Sequence, residues 1–234
     1  MNKALSIFAA ISCVGLSQLS HAQHGRLNLI STDVGEGGAN VYFAGSVLMA
    51  FAPGTNGPFG SHFDAYCTVL NVDAYIGSTW GATKLDTTQF VPSPNASVLP
   101  SAADARVGSE IAWLANTYGI THNTEQAAAT QLAIWDLAEG GSGTAGDHFF
   151  STEISSWSFS NNVIGDSRTY AADAISAYGH GARAVDTWYQ ADVVNNTHVS
   201  QDFVTPNPTP EPITLGLGVA GIGLAIRRRL QKSA

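Results

Sequence analysis

The sequence predicts an α+β fold in which a strand-rich first half, a β-sandwich or barrel, packs against a helical second half. Two observations lead to this prediction. Short apolar or alternating runs separated by Gly and Asn clusters dominate before residue 100, and apolar residues at helical spacing dominate after it. We therefore predict one domain over 23–205, strand-rich over 26–100 and helical over 101–200.

Four runs in the first half have the length and composition of strands. Stretches such as GEGGAN and PGTNGPFG separate them, and such glycine-rich stretches are typical of turns. A loop with three prolines, VPSPNASVLPSAAD, ends this half of the domain. The predicted strands are RLNLIS, NVYFAGSVLMAF, AYCTVLNV and AYIGSTW.

The second half contains helical patterns with recognisable ends. The first runs from Arg106 to a stop at Gly119, where a glycine favours the end of a helix. The second begins at Asn123, a side chain suited to capping a helix N-terminus, and ends at Gly140-Gly141. A third is predicted in SRTYAADAISAYG and a fourth in ARAVDTWYQAD.

The N-terminus has the three parts of a secretory signal peptide over residues 1–22. Lys3 gives the positive start, ALSIFAAISCVGL the apolar core, and Ser20-His21-Ala22 the small-residue cleavage site. The alternative is an uncleaved membrane anchor, but the apolar run is short for a membrane span. We therefore expect an exported chain that begins at Gln23.

The C-terminal segment, 206–234, combines a proline-rich stretch, an apolar run and a basic cluster. Pro210-Glu211-Pro212 precedes the uncharged run 213–226, predicted as a short transmembrane helix, and Arg227, Arg228 and Arg229 follow it. This order resembles the PEP-CTERM sorting signal of Gram-negative bacteria; the alternative is a simple C-terminal anchor. The resemblance implies export, transient anchoring in the inner membrane and processing by an exosortase, often in species that make exopolysaccharide.

Composition excludes several classes of partner. Only 12% of the residues are charged, and the predicted mature region keeps five basic residues against 18 acidic ones. Such a surface repels nucleic acid and anionic lipid. The histidines have no spacing typical of metal ligands, so we expect neither a metal nor a cofactor.

The number of cysteines limits the chemistry that the exported domain can carry out. Of the two cysteines, Cys13 lies in the predicted signal peptide, so Cys67 alone remains after export. It cannot form an internal disulfide. A lone thiol in an oxidising compartment is a buried bystander, half of an intermolecular bridge or a reactive group.

Gln131 stands out on the second predicted helix because it falls on the apolar face. A buried amide without partners costs about 1–3 kcal/mol, so it needs either a structural partner or a chemical purpose. The other residues of this face are Ala127, Ala128, Ile134, Trp135 and Ala138.

Two short motifs resemble those of the thioester domains found on bacterial surface proteins. TQLAIW, from Thr130 to Trp135, matches the TQxAIW signature, and AYCTV places a cysteine after an aromatic residue 64 positions earlier. The resemblance implies an internal thioester between Cys67 and Gln131. The best-known members are attached to Gram-positive walls through a sortase signal, whereas this chain carries the PEP-CTERM-like segment, so the resemblance does not imply a host-binding role.

The implied chemistry uses no cofactor. In the first step, the Cys67 thiolate displaces ammonia from the Gln131 carboxamide. Later, an amine or hydroxyl on an extracellular protein or polysaccharide displaces the thiol and becomes attached to Gln131. When the nucleophile is an amine, the new linkage is an isopeptide bond. The reaction uses the site once, so the protein is a covalent adhesin or matrix-attachment protein at the cell surface or in the matrix, not a turnover enzyme. Water would compete, so the bond needs a dry pocket. We expect its walls to come from Tyr66, Thr130, Ile134 and Trp135.

Two alternatives remain at this point. In the first, the domain is a non-covalent exopolysaccharide or biofilm matrix component with a buried, unreactive Cys67. In the second, Cys67 is the nucleophile of a hydrolase with a histidine as its base. His122 and His148 flank the glutamine helix and could assist proton transfer, although no hydrolase-like motif surrounds them.

Overall fold

The computed structural model describes residues 23–37, 43–51, 62–70, 74–90, 102–155, 157–194, 197–198 and 200–206. The predicted signal peptide and the sorting motif with its three arginines lie outside the described residues. Over the described ranges, no helix combines the length and the apolar character that a membrane crossing requires.

Six antiparallel strands close into a barrel in the order β1-β2-β3-β8-β5-β4. Together with three α-helices, the barrel confirms the predicted α+β class. A separate two-stranded ribbon is formed by β6 and β7. The strands are β1 (Gln23–Gly37), β2 (Phe43–Phe51), β3 (His62–Cys67), β4 (Thr79–Asp86), β5 (Thr187–Ala191), β6 (Val193–Val194), β7 (Thr197–His198) and β8 (Phe203–Thr205).

The predicted strand AYIGSTW is mostly a turn. Ser78 N donates to Tyr75 O at 2.9 Å, and Gly77 has a φ of 81°, a left-handed conformation that glycine adopts without strain. The turn is attached to β1, because Gly77 N donates to Leu29 O at 2.7 Å. Strand β4 begins only after it, at Thr79.

The prediction of the fourth helix was wrong: five of its 11 residues form strand β5, and none is helical. Thr187, Trp188 and Tyr189 are β-branched or aromatic residues, which favour a pleated sheet. Strand β5 pairs with β4 on one side and β8 on the other, so its backbone groups are used within the barrel. The chain thus returns from the helices to complete the sheet, which local periodicity does not reveal.

The other three predicted helices are present as α1 (Ala102–Tyr118), α2 (Thr124–Ala138) and α3 (Asn161–Gly179). The cap at Asn123 is confirmed: its side chain accepts a hydrogen bond from Gln126 N at 2.9 Å. Helix α3 begins earlier than predicted because Ser160 caps it, with Ser160 Oγ accepting from Val163 N at 3.2 Å.

Helix α2 is the central element of the fold. It contacts β1, β2 and β3 on one side and α1 and α3 on the other. Every residue from Ala127 to Ala138 is buried, so the prediction of one apolar face was too narrow. A helix enclosed on all sides is apolar all round, and its alanines allow neighbouring elements to approach closely.

Side chains of β3, β8 and β5 alternate between two clusters. Cys67, Phe203 and Tyr189 are cross-strand neighbours in the cluster that fills the barrel. Tyr66, Val204 and Trp188 form the adjacent row, which packs in a second cluster with α1 and α3. Because α2 contributes side chains to both clusters, it joins the barrel to the helical layer.

Candidate functional site

The structure brings Cys67 and Gln131 together at the end of β3. Cys67 N donates to Gln131 Oε1 at 2.9 Å, and Gln131 Nε2 donates to Cys67 O at 2.7 Å. The carboxamide therefore pairs with both main-chain groups of a single residue. This pairing fixes its orientation, because a flipped amide would oppose donor to donor and acceptor to acceptor.

The register of the barrel explains why these main-chain groups are available. The β2–β3 ladder ends at the pair Val47 and Ala65, two residues before Cys67 on β3. On the other side of β3, Thr68 N donates to Asp202 O at 2.9 Å, so the groups of Cys67 point away from β8. The Gln131 amide takes the position that a further residue of β2 would occupy.

Burial sets the chemistry of both side chains. Cys67 is 8% exposed and Gln131 is fully buried. Burial raises the pKa of the Cys67 thiol well above its usual value, because the charged thiolate loses its hydration. The thiol is therefore neutral in the folded protein near neutral pH, and water has little access to it.

The four residues expected as walls of the site occupy different places. Trp135 shares the barrel cluster with Cys67 and packs edge-on against Trp157 at a centroid distance of 6.0 Å. Tyr66 and Ile134 lie in the second cluster, on the side of β3 opposite Cys67. Thr130 is buried, but its hydroxyl donates to Gln126 O at 2.8 Å within its own helix.

Tyr66 anchors the strand that carries Cys67. Its hydroxyl donates to Gly119 O at 2.9 Å, in the connection between α1 and α2. A side chain at Gly119 would lie 2.9 Å from the Tyr66 ring and 2.4 Å from Ala115 O, so only glycine fits this approach. The end of β3 is thereby tied to the segment that leads into α2.

The histidines with described side chains do not act on this pair. His122 and His148 are exposed, and His148 Nδ1 lies 3.5 Å from Glu153 Oε1. Among the described residues, no hydrogen bond joins a histidine to Cys67 or Gln131, and no three potential ligands cluster as a metal site would need. The arrangement lacks the thiol–histidine contact that activates the nucleophile of a cysteine hydrolase.

Asp136 was missed by sequence reasoning although it lies next to the predicted site residue Trp135. Its carboxylate is fully buried; Oδ2 accepts a hydrogen bond from Gly143 N at 2.9 Å, and Oδ1 has no hydrogen-bond partner among the described residues. Burial raises its pKa to about 7, with a smaller contribution from the nearby Asp147 carboxylate and against the lowering effect of the hydrogen bond from Gly143 N. An acid inside the apolar run AIWDLA was the available signal.

Comparisons with known proteins found similarity to solved structures but not to any family or curated protein. No family model and no curated protein matches the chain. Among solved structures, it is similar to the N-terminal thioester domain of fibronectin-binding protein SfbI from Streptococcus pyogenes. That match has 12% identity and a TM-score of 0.47, and covers 83% of this chain and 97% of the other. At these values the similarity carries no functional argument.

Proposed function

We propose that this chain is an exported surface protein in which Cys67 and Gln131 form an internal thioester that attaches covalently to an extracellular partner. The observation that supports this most directly is the pair of hydrogen bonds between the Gln131 carboxamide and the Cys67 main chain. They hold the carbon that would be attacked, Cδ, beside the residue that carries the attacking sulfur. The TQLAIW and AYCTV motifs contain these same two residues.

The main chain of Cys67 suits the formation step. When Sγ attacks Cδ, negative charge develops on Oε1, which already accepts from Cys67 N at 2.9 Å. The thiol proton passes to Nε2, which donates one of its own hydrogens to Cys67 O at a distance of 2.7 Å. The Sγ–Cδ bond forms, the Cδ–Nε2 bond breaks, and ammonia leaves. No metal or cofactor takes part in this step.

Burial disfavours opening of the thioester by departure of a thiolate. A thioester is uncharged, whereas opening it with a thiolate leaving group would place a charge where burial raises the pKa of the thiol. Opening therefore requires a nucleophile that delivers a proton to Sγ as the Cδ–Sγ bond breaks. An amine or a hydroxyl on an extracellular protein or polysaccharide can do so, and it then remains attached to Gln131.

A second candidate is a non-covalent matrix protein with an unreactive Cys67. One observation favours it: the two hydrogen bonds satisfy both polar atoms of Gln131 without any covalent bond. In this case the amide is structural, continuing the β3 ladder where β2 ends. The two candidates differ in mass and in reactivity.

Intact mass spectrometry of the protein purified after export distinguishes them. A thioester makes the chain lighter than its sequence by one ammonia, and methylamine converts that species to one heavier than the sequence by one CH2. Cys67→Ala, which keeps the main-chain hydrogen bonds, should not react with methylamine, and any ammonia that it still lacks comes from cyclisation of the N-terminal Gln23 and not from a thioester. A mass equal to the sequence and unaffected by methylamine would exclude the thioester and leave the matrix protein.

The same spectrum tests processing. We expect the exported chain to begin at Gln23 and, after exosortase cleavage, to end near Pro210-Glu211-Pro212. Arg227, Arg228 and Arg229 should then be missing from the mature protein. A chain that retains the three arginines would contradict processing by an exosortase and support a permanent anchor.

A further inference from the structure

Two tyrosine rings are stacked face to face between α1 and α3. The ring centroids of Tyr118 and Tyr170 are 3.8 Å apart and their planes differ by 8°, which is closer than the roughly 4.5–7 Å typical of aromatic pairs. Tyr118 is the last residue of α1, and Tyr170 lies in the middle of α3. Both side chains are half-buried, so the pair remains accessible from solvent.

The phenol ends of the stack are held beside a carboxylate. The Tyr118 hydroxyl donates to Asp173 Oδ2 at 2.9 Å, and Asp173 lies one turn beyond Tyr170 on α3. Burial, this hydrogen bond and the neighbouring charges of Asp173 and Tyr170 raise the pKa of Tyr118 to about 12. Because Tyr170 contributes to this shift, the two phenol oxygens lie near one another, and the ring carbons next to them lie at the same end of the stack.

This arrangement suits one-electron oxidation of a phenol. A phenol that loses an electron becomes strongly acidic, so its proton must leave at the same time, and a carboxylate within hydrogen-bonding distance can accept it. Asp173 Oδ2 is in that position for Tyr118. The Tyr170 ring then lies directly against the radical that is formed.

We propose that Tyr118 and Tyr170 are a modification site at which a peroxidase-type oxidant joins α1 to α3 through a dityrosine bond. The oxidant acts from outside the protein. One hydrogen peroxide takes an electron and a proton from each phenol and becomes two water molecules. The two phenoxyl radicals couple through a Cε atom of each ring, and the hydrogen on each coupled carbon moves to its phenol oxygen. The inference is independent of the proposed thioester.

Such a bond would enclose the central helix. The linked segment runs from Tyr118 to Tyr170 and contains the whole of α2, which carries Gln131. A covalent link across this segment stabilises the fold by restricting the unfolded chain. Cys67 is the only free cysteine among the described residues, and no second cysteine of the described ranges can pair with it. A tyrosine pair supplies a covalent tie that thiol chemistry does not offer here.

The other tyrosines with described side chains have different surroundings. The Tyr66 ring is fully buried, and its hydroxyl donates to a backbone carbonyl, Gly119 O. The ring of Tyr178 is covered by the Arg183 guanidinium at 3.6 Å, and Tyr189 stacks on Phe63. Tyr75 is 67% exposed on its turn, which makes it the tyrosine to expect in links between molecules.

The experiment treats the exported protein, at low concentration, with a peroxidase and a limiting amount of hydrogen peroxide. We expect a monomer that is lighter than the untreated protein by two hydrogen atoms, shows dityrosine fluorescence and melts at a higher Tm. Peptide mapping should find residues 118 and 170 in one linked product. A product that joins other tyrosines, or covalent dimers without an internal link, would overturn the inference.

Matched variants locate the reaction. Tyr118→Phe and Tyr170→Phe keep an aromatic ring in the stack but should each abolish the internal link, whereas Tyr75→Phe should leave it unchanged. Asp173→Asn retains an oxygen that accepts the hydrogen bond but is a much weaker base, so we expect the link to form at least about 10-fold more slowly. An internal link that persists in Tyr118→Phe would refute the assignment, and an unchanged rate in Asp173→Asn would refute the role of the carboxylate.

Discussion

Gln131 and Asp136 lie five residues apart on the same buried helix, but their surroundings differ in how completely they satisfy the hydrogen-bonding atoms of each side chain. Both polar atoms of Gln131 are paired with one residue of β3, and the group is neutral. Asp136 has one donor, Gly143 N, and one oxygen without a hydrogen-bond partner among the described residues. Burial accordingly raises the pKa of Asp136 to about 7. Complete pairing makes a buried polar group compatible with the core, and incomplete pairing makes it sensitive to pH.

The largest change in stability is expected when Gln131 is replaced by an acid, so that it resembles Asp136. In a Cys67→Ala background, where no thioester can form, we expect Gln131→Glu to lower the free energy of unfolding at pH 7 by about 3–5 kcal/mol. A carboxylate there would place a second acceptor against the carbonyl of residue 67 in a fully buried position. Urea denaturation measures the change.

The matched control is Gln131→Leu in the same background, which removes the amide without adding charge. It leaves one buried N–H and one C=O unpaired, so we expect a smaller loss of about 1–3 kcal/mol. Equal stability of the two variants would show that charge at this position is not the dominant cost.

Replacing the acid by its amide should remove the pH sensitivity of the other end of the helix. The pKa of Asp136 is raised from 3.8 to about 7, so folding favours its protonated form. Its contribution to stability is complete below about pH 4 and is lost as the pH rises through 7, a loss of about 2–4 kcal/mol. Asp136→Asn should flatten this part of the profile measured by urea denaturation between pH 4 and 8.

Burial also raises the pKa of Glu110, so Asp136→Asn should remove only the part of the pH dependence that comes from Asp136. Asp147→Asn serves as the control: it removes a neighbouring charge that raises the pKa of Asp136, and should shift the loss of stability to lower pH. An unchanged slope in Asp136→Asn would mean that the carboxyl is not protonated in the folded protein near pH 6.

A smaller change in stability is expected from a substitution in the loop that supplies the hydrogen-bond donor Gly143 N to Asp136. Gly143 has a φ of 78°, and a side chain there would lie 2.3 Å from Arg168 O on α3. We expect Gly143→Ala to cost about 2–3 kcal/mol, from backbone strain and from displacement of the loop against α3. Thermal denaturation would show the loss as a lower Tm.

Gly140→Ala separates the two contributions. Gly140 has a φ of 81°, but a side chain there would meet nothing within 4 Å. This variant should cost only the strain, about 1 kcal/mol. If Gly140→Ala and Gly143→Ala are equally destabilised, the close approach to α3 does not contribute.

The smallest expected effect concerns the anchor of β3. Tyr66→Phe removes the hydrogen bond from the Tyr66 hydroxyl to Gly119 O and should lower the free energy of unfolding by about 1–2 kcal/mol. Tyr75 is 67% exposed on its turn, so Tyr75→Phe should stay within about 0.5 kcal/mol of the wild type. A Tyr66→Phe variant as stable as Tyr75→Phe would show that the anchor is not needed.

Sequence reasoning succeeded where the determining interactions are local. The cap at Asn123, the helices and the alternating strands depend on neighbours within a few positions, so their pattern is visible in the chain. It failed for β5, whose strand conformation depends on pairing with β4 and β8. It also missed the full enclosure of α2 and the buried state of Asp136, because alanine is compatible with buried and exposed helix positions alike.

The candidate pair itself was selected by motif and not by spacing. Nothing in the sequence between them indicates that Gln131, 64 positions after Cys67, reaches the main chain of Cys67. That contact depends on where the β2–β3 ladder ends, which is a property of the register of the whole barrel. The sequence could name the two residues, but only the folded sheet supplies the hydrogen-bonding groups that orient the amide.

The last strand of the barrel, β8, has a consequence for how the domain would respond to mechanical force. Strand β8 is three residues long and pairs with β3 at Tyr66 and Cys67 on one side and with β5 on the other. Tension applied to β8 would therefore load few hydrogen bonds, among them those beside Cys67. Pulled through this strand, the domain would begin to yield beside its candidate bond.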